Sequence, residues 1–402
     1  MAEHRNPAVI TVPGDSAPLL AGELSREGLR VSDGAPYPFG AVHMERGADG
    51  STVSFTLPET VPDGQGEEAE GHVPADSAAR FEAVRAAWQS ALGARTVLLA
   101  EPRSFCAGVD RAIEVVEEAL EQRPHPVYVR KQIVHNTHVV RDLAARGAVF
   151  VDELDEVPAG ATVVFSAHGV APAVRTAAEL GGLHVLDATC PLVTKVHAEV
   201  RRYARRGDRV FLIGHEGHEE SEGTLGEAPD RTTLVQSVEE VAALPDLDEG
   251  ATASYALQTT LAVDEAEDVV LALQDRYPGI QGPGSDDICY ATTNRQASAR
   301  AVADSSDLVL VVGSRNSSNS VRLVEVAERA GARARLVEDV GEVRLTDLCG
   351  ADTIGLTAGA SAAPALVDEI VRALRGLGSV STSVRRVAQE TVTFSLPKEL
   401  SR

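Results

Sequence analysis

"TVLLAEPRSFCAGVDRAIEVVEEALEQ", residues 96–122, joins a short apolar run to a long helical pattern through a loop that carries one cysteine, Cys106. The run suits a buried strand and the spacing after the loop suits one face of a helix. The same order recurs along the chain. "PVYV", "AVFV", "ATVVFS", "HVLDA", "RVFLIG", "TASYAL", "LVLVVG" and "TIGLTAG" read as further strands, with helices such as "THVVRDLAARG" and "DEAEDVVLALQDRYP" between them. Strands alternating with amphipathic helices predict an α/β protein with parallel sheet covered on both faces. In such sheets ligands bind beyond the carboxyl ends of the strands.

The composition agrees with a globular chain of several domains: 402 residues, 44% hydrophobic and 24% charged. A net charge of -23 argues against a nucleic-acid binder or a binder of anionic membranes, since either needs a basic face. No stretch approaches the roughly 20 apolar residues of a bilayer span, and "MAEHRNPAVITVPGDSAPLL" lacks a basic leader followed by an apolar segment. A cytoplasmic protein is expected, and its four cysteines are expected to be thiols.

The character of the chain changes near residue 92. Residues 1–92 hold 14 Asp/Glu against 6 Arg and no Lys, and include "PETVPDGQGEEAEGHVPADS", which reads as a flexible linker. Weak strand signals ("STVSFTLPE") and one amphipathic pattern ("SAARFEAVRAAWQSAL") flank it. This acidic N-terminal extension is expected to be partly disordered and dispensable for chemistry.

Three cysteines share one setting. Cys106 follows "TVLLA", Cys190 follows "HVLDAT", and Cys289 in "DDICYATTNR" precedes a helical pattern, so each stands at a strand-to-helix junction. They lie 84 residues (106 to 190) and 99 residues (190 to 289) apart, which fits three α/β units each delivering a thiolate to a common centre. Thiolates without histidine partners suit an iron–sulfur cluster or zinc, and three ligands leave one metal position open. Read singly, each is equally a small buried hydrophobe. Cys349, outside the pattern, is expected to be a core thiol.

Histidines and hydroxyls repeat the placement. His135, His168, His215 and His218 follow strand patterns, the last three beside glycine, whereas His4, His43, His72, His125 and His184 have no such context and read as surface. Thr259, Thr260, Ser317, Ser318, Asn319 and Ser361 sit in loops before helices, where hydroxyls and backbone N–H groups can hold an anion without lysine or arginine. Any one of them is as well explained as an N-cap. No GxxxxGK[ST] or strand-following GxGxxG occurs, which disfavours a nucleotide.

Taken together, "PRSFCAGVDRAIEVVE", "VVFSAHGV", "DATCPLVTKVH", "LIGHEGHEE", "DDICYATTNRQ", "VVGSRNSSNS" and "TAGASAAP" resemble, in order and spacing, the motifs of the 4-hydroxy-3-methylbut-2-enyl diphosphate reductases, the last enzymes of the methylerythritol phosphate route to isoprenoid precursors. The resemblance runs from about Arg95 to "VTFSLPKEL", roughly three quarters of the chain. It implies a trefoil of three small parallel-sheet α/β domains (93–190, 191–288 and 289–385) around a 4Fe-4S cluster, with the extension 1–92 before them and a tail, 386–402, packed on the core. It further implies Cys106, Cys190 and Cys289 as cluster ligands, one iron being left for the substrate's hydroxyl oxygen. His135, His168, His218, Ser317, Ser318, Asn319 and Ser361 would hold the diphosphate of an allylic substrate, with Thr259 near the allylic oxygen and Glu220 supplying protons. A carrier such as ferredoxin or flavodoxin would bring the electrons. The alternative is a non-catalytic iron–sulfur sensor of the same fold.

Two positions depart from the family pattern. Ser104 stands where glycine is common, and Glu219 where the histidine loop often has proline. In addition, "TVSFTLPET" (52–60) echoes "TVTFSLPKE" (391–399), which suggests that the extension docks a strand where a tail-like strand is accepted.

Overall fold

The computed structural model describes residues 8–32, 42–47, 51–57 and 76–400. Three parallel sheets organise residues 95–386. One runs Ala148–Val151, Val127–Arg130, Thr162–Phe165, His184–Asp187; a second Thr232–Val235, Arg209–Ile213, Ala253–Leu257. The third runs Arg333–Val337, Leu308–Val312, Thr353–Ala358, Arg95–Glu101, Val380–Arg386. Thr162–Phe165 and Leu308–Val312 are buried at every residue, as continuous apolar runs inside a parallel sheet must be. All nine strands expected from sequence are present. This is the α/β architecture anticipated, with one change in how the strands are shared.

That change concerns the opening stretch. Arg95–Glu101 pairs with Thr353–Ala358 on one side and Val380–Arg386 on the other, so it belongs to the sheet of the C-terminal unit and not to a unit spanning 93–190. A strand buried on both faces carries no local mark of its neighbours, and the boundary at 93 therefore misassigns it. The helix that follows, Ala107–Gln122, does join the first unit: Val109, Ala112, Val115 and Val116 pack with Val127, Val129 and Val164. Residues 102–106 thus cross from one sheet to another, and Cys106 stands at the seam.

The described part of the N-terminal region packs onto the third sheet. Ala8–Pro13, Thr52–Leu57, Val42–Arg46 and Val31–Ser32 form a mixed four-stranded sheet covered by helices Ala17–Arg26 and Ser77–Ser90. Leu19, Leu20, Leu24, Phe55 and Phe81 are fully buried in one cluster with Leu345, Leu348, Ile370 and Leu374 of the C-terminal unit. Polar contacts cross the same boundary. Ser16 Oγ donates to Ala373 O at 2.8 Å, Arg26 donates to Gly341 O at 2.7 Å and to Val343 O at 2.9 Å, and Glu23 accepts from Leu345 N at 3.2 Å. The described residues of the extension form a module that shares a core with the third sheet. The linker expected at 58–77 falls, except for its last two residues, outside the described residues.

The tail lies across the first unit. Leu396 and Leu400 pack into its core, while Arg111 Nε and Arg123 donate to Ser395 O (2.8 Å) and Glu399 O (2.7 Å). Thr52–Leu57 instead sits between Ala8–Pro13 and Val42–Arg46, so the two similar sequences occupy unrelated settings and the echo marks no common docking place. Among the described residues no helix is long and apolar enough to cross a membrane.

Candidate active site

Helix starts converge on one cavity. Cys106, Cys190 and Cys289 are the N-caps of Ala107–Gln122, Pro191–Arg206 and Tyr290–Ala303; Ser317 caps Ser318–Arg329, and His218 caps Glu219–Leu225. Each start offers unpaired N–H groups and the positive end of a helix dipole, which favours thiolates and bound anions. Every residue that the family resemblance assigned to the site lines the resulting cavity: Cys106, Cys190, Cys289, His135, His168, His218, Glu220, Thr259, Ser317, Ser318, Asn319 and Ser361. Thr260 lines it too, whereas His215 turns away, its Nε2 2.6 Å from Arg322 of the third unit. Cys349 lies elsewhere, its thiol 3.4 Å from Leu345 O.

The thiols occupy the apolar end, with Val109, Val134, Leu192 and Val193. A Cβ on Gly108 would stand 2.7 Å from Cys190 Sγ and 3.8 Å from Cys106 Sγ, so only glycine lets the two sulfurs approach this turn. Cys289 Sγ receives Thr292 N at 3.3 Å and lies 3.2 Å from Thr292 Oγ1. Burial pushes all three thiols up, Cys190 to about 12 and Cys289 to about 11, against the lowering effect of helical N–H groups. Three buried, mutually repelling thiolates require a compensating cation, and sulfur donors select soft metals or iron–sulfur clusters. The donor set and the glycine cradle fit such a group.

At the polar end the three histidines form a cluster. His135 and His168 stack at 4.1 Å between centroids, and His218 meets them edge-on at 5.4 and 5.7 Å. Burial, followed by the charge of His168, drives His135 down to about 3 and His218 to about 2. His135 Nδ1 and both amide atoms of Asn319 are buried without partners, a costly condition that a hydrogen-bonding ligand relieves. Ser361 Oγ donates to His135 O at 3.0 Å, and Asn136 Nδ2 to Ser361 O at 2.7 Å, tying the first and third units together here.

Between the two ends lies Glu220, 2% exposed. It accepts from Thr259 N at 2.6 Å and from Thr259 Oγ1 at 2.9 Å. Burial raises its pKa, and the Thr259 bonds only partly oppose this. Burial thus favours the protonated carboxyl, and the hydroxyl beside it can both accept and donate.

Two contributors, Arg295 and Thr292, escaped the sequence reading, and a third, Glu219, was noted there only as a departure from the family pattern. Arg295, fully buried, donates to Ser104 O (3.0 and 2.7 Å) and Phe105 O (3.0 Å) beside the first cysteine, and to Glu390 of the tail (2.9 Å). Thr292 supports Cys289, and Glu219 meets His168 Nδ1 at 3.2 Å. Only Thr292 left a local signal, as the third residue after an N-cap; the other two act across units.

An α/β protein that gathers three thiols, a buried acid and an anion pocket at the meeting point of its sheets is the class that fold and cavity define. The chain belongs to the LytB protein family, whose profile matches residues 97–375. It is 58% identical over 314 residues to 4-hydroxy-3-methylbut-2-enyl diphosphate reductase 2 of Mycobacterium bovis, covering 77% of this chain and 95% of that one. The Leifsonia xyli reductase is 55% identical over 311 residues, covering 77% and 92%. The solved E-1-hydroxy-2-methyl-but-2-enyl-4-diphosphate reductase of Plasmodium falciparum superposes with a TM-score of 0.74 at 36% identity, covering 77% of this chain and 97% of its own.

Proposed function

We infer that this chain is a 4-hydroxy-3-methylbut-2-enyl diphosphate reductase, removing the allylic hydroxyl of its substrate to give isopentenyl and dimethylallyl diphosphates. Substrate, two electrons and two protons yield the C5 diphosphate and water. The observation that carries this reading is a single cavity with three N-cap thiols at one end, orphaned His135 and Asn319 at the other, and the Glu220–Thr259 pair between them.

Cys106, Cys190 and Cys289 would hold a 4Fe-4S cluster, which when bound supplies single electrons and Lewis acidity at the leaving hydroxyl. The remaining work falls to the chain's own groups. Helix N-termini at Ser317 and His218, with His135, His168, Ser318, Asn319 and Ser361, bind the diphosphate and fix the allylic carbon skeleton toward the thiols. Thr259 passes the Glu220 proton to the departing oxygen, converting a poor leaving group into water. The apolar wall of Val109, Val134 and Leu192 excludes bulk water. A one-electron carrier of the ferredoxin or flavodoxin class completes the reaction, and a cytoplasmic setting suits free thiols. A non-catalytic sensor has no use for the Glu220–Thr259 pair, which disfavours that reading.

The test is anaerobic reconstitution with iron and sulfide followed by turnover with reduced ferredoxin or flavodoxin. Cys106→Ser, Cys190→Ser and Cys289→Ser should each lose the broad visible band or most activity, while Cys349→Ser keeps both. Full iron content and turnover in any of the first three would overturn the ligand set.

A further inference from the structure

The three helices that begin at cysteines share a second feature. Each carries a cation early in its length: Arg111 five residues after Cys106, Lys195 five after Cys190 and Arg295 six after Cys289. Arg111 donates to Thr189 O at 3.1 Å and to Asp187 O at 3.3 Å, in the segment before Cys190. Lys195 Nζ donates to Ser285 O at 2.7 Å, Asp286 O at 2.8 Å and Asp287 Oδ1 at 3.1 Å, in the segment before Cys289. Arg295 donates to Ser104 O at 2.7 Å and Phe105 O at 3.0 Å, in the segment before Cys106. Each cation thus reaches from the helix behind one cysteine to the chain ahead of the next, and the third returns to the first.

We propose that Arg111, Lys195 and Arg295 are positioning residues that close into a ring and fix the three cysteine segments relative to one another, so that the cluster is held by the ring acting as one unit. This rests on the reading of Cys106, Cys190 and Cys289 as cluster ligands. Apart from Asp187 O, the carbonyls involved lie outside the strands, where a backbone acceptor needs a partner from elsewhere. A charged donor supplies one with a bond roughly twice as strong as a neutral one. A single contact of this kind is ordinary support for a loop. Three in cyclic order do more: with two ties one segment can still swing about its neighbour, whereas three pairwise ties fix a triangle. The ring also sets positive charge around thiols that repel one another when ionised. Burial raises the Cys106 thiol, and the Arg295 charge is the largest effect opposing it. Arg111 and Arg295 are tied to the tail as well, at Ser395 O (2.8 Å) and Glu390 (2.9 Å), while the hydrogen bonds of Lys195 go to the Cys289 segment. Lys195 therefore reads the ring apart from the tail.

The experiment is a double-mutant cycle on the cluster-loaded full chain, with iron release to a chelator followed anaerobically by bleaching of the visible band. Arg111→Met and Lys195→Met remove the two less buried cations, and each should speed release about tenfold, as expected when hydrogen bonds from a charged donor are lost. If the ring acts as one unit, the double variant releases iron within about threefold of the singles. Separate clamps would multiply to about a hundredfold, and that result, or unchanged release in either single variant, overturns the ring. Lys195→Arg keeps the charge and the donors and should release iron within about twofold of wild type. Release as fast as in Lys195→Met would show that the cation is not what holds the segment, and the ring fails. Should the methionine variants lose iron before they can be measured, Arg111→Gln and Lys195→Gln, which keep an amide donor without the charge, carry the same cycle. Cys190→Ser separates the two readings. If it holds iron as firmly as wild type, the ligand set is wrong and the ring falls with it; if it loses iron while the Arg111 and Lys195 variants do not, the ligand set stands and the ring alone is refuted.

Discussion

Glu220 decides the chemistry at the scale of single residues, because it is the buried acid within one hydroxyl of the reacting end of the cavity. Glu220→Gln keeps the shape and the Thr259 contacts but has no acidic proton, so cluster absorption should persist while turnover falls about a hundredfold or more. Near-normal turnover would remove Glu220 from the mechanism. Ser104 poses a different question. Its φ of 63° is in the left-handed region, and its buried hydroxyl has no partner. A side chain there costs about 1–2 kcal/mol of backbone strain, and an orphaned hydroxyl adds to that, whereas glycine gives back part of the gain through unfolded-chain entropy. Ser104→Gly should therefore raise the unfolding free energy by about 1 kcal/mol net, read from denaturant midpoints at unchanged m-value. A drop in stability would show that the serine makes a contact outweighing its strain.

The elements that carry the cysteines are held in place by Arg295 as much as by their own capping. Its guanidinium links helix Tyr290–Ala303, through Ala291 O, to the carbonyls before Cys106 and to Glu390 in the tail, so two of the three cysteine loops share one buried cation. Arg295→Met leaves those carbonyls and Glu390 unpaired and should cost about 3–5 kcal/mol, with faster iron loss measured by chelator challenge. Glu390→Gln retains a hydrogen bond at a partly exposed position and should cost no more than about 1 kcal/mol; equal effects would mean that the tail, not the carbonyl clamp, is what matters. The contrast between Arg295 and Cys289 shows what a sequence discloses. Cys289, like Cys106, Cys190 and the three histidines, was legible because a chemically distinctive residue stood where a strand pattern met a helix pattern. Arg295 was not, since its meaning depends on carbonyls 191 residues away. The same holds for strands: central runs such as "LVLVV" announce themselves, while Thr232–Val235, Arg333–Val337 and Val380–Arg386, partly polar and at sheet edges, do not.

For the whole molecule, the N-terminal module is where local composition misled. Its acidic, Pro- and Gly-rich segments suggested a chain unable to bury a core, yet Leu19, Leu20, Leu24, Phe55 and Phe81 come from three separated segments and complete their cluster only against helix Pro364–Arg375 and its neighbours. A core assembled from both ends of a chain leaves no periodic trace in either. The family match begins at Val97, so the module lies outside the matched residues, yet it shares a buried core with the third sheet. Deleting residues 1–91 would expose Leu345, Leu348, Ile370 and Leu374, and we expect the truncated chain to aggregate or to lose its cluster during anaerobic purification. Leu20→Ala should cost about 2–5 kcal/mol, the range for emptying a fully buried leucine site. Trp88, the only tryptophan of the chain, sits 6% exposed in the module and reports on it directly. Its fluorescence should change in the same thermal transition as far-UV circular dichroism and cluster bleaching, and Leu20→Ala should shift all three together. If Trp88 instead melts first while the cluster and the remaining ellipticity persist, the module folds separately, and the shared core contributes less than its burial indicates.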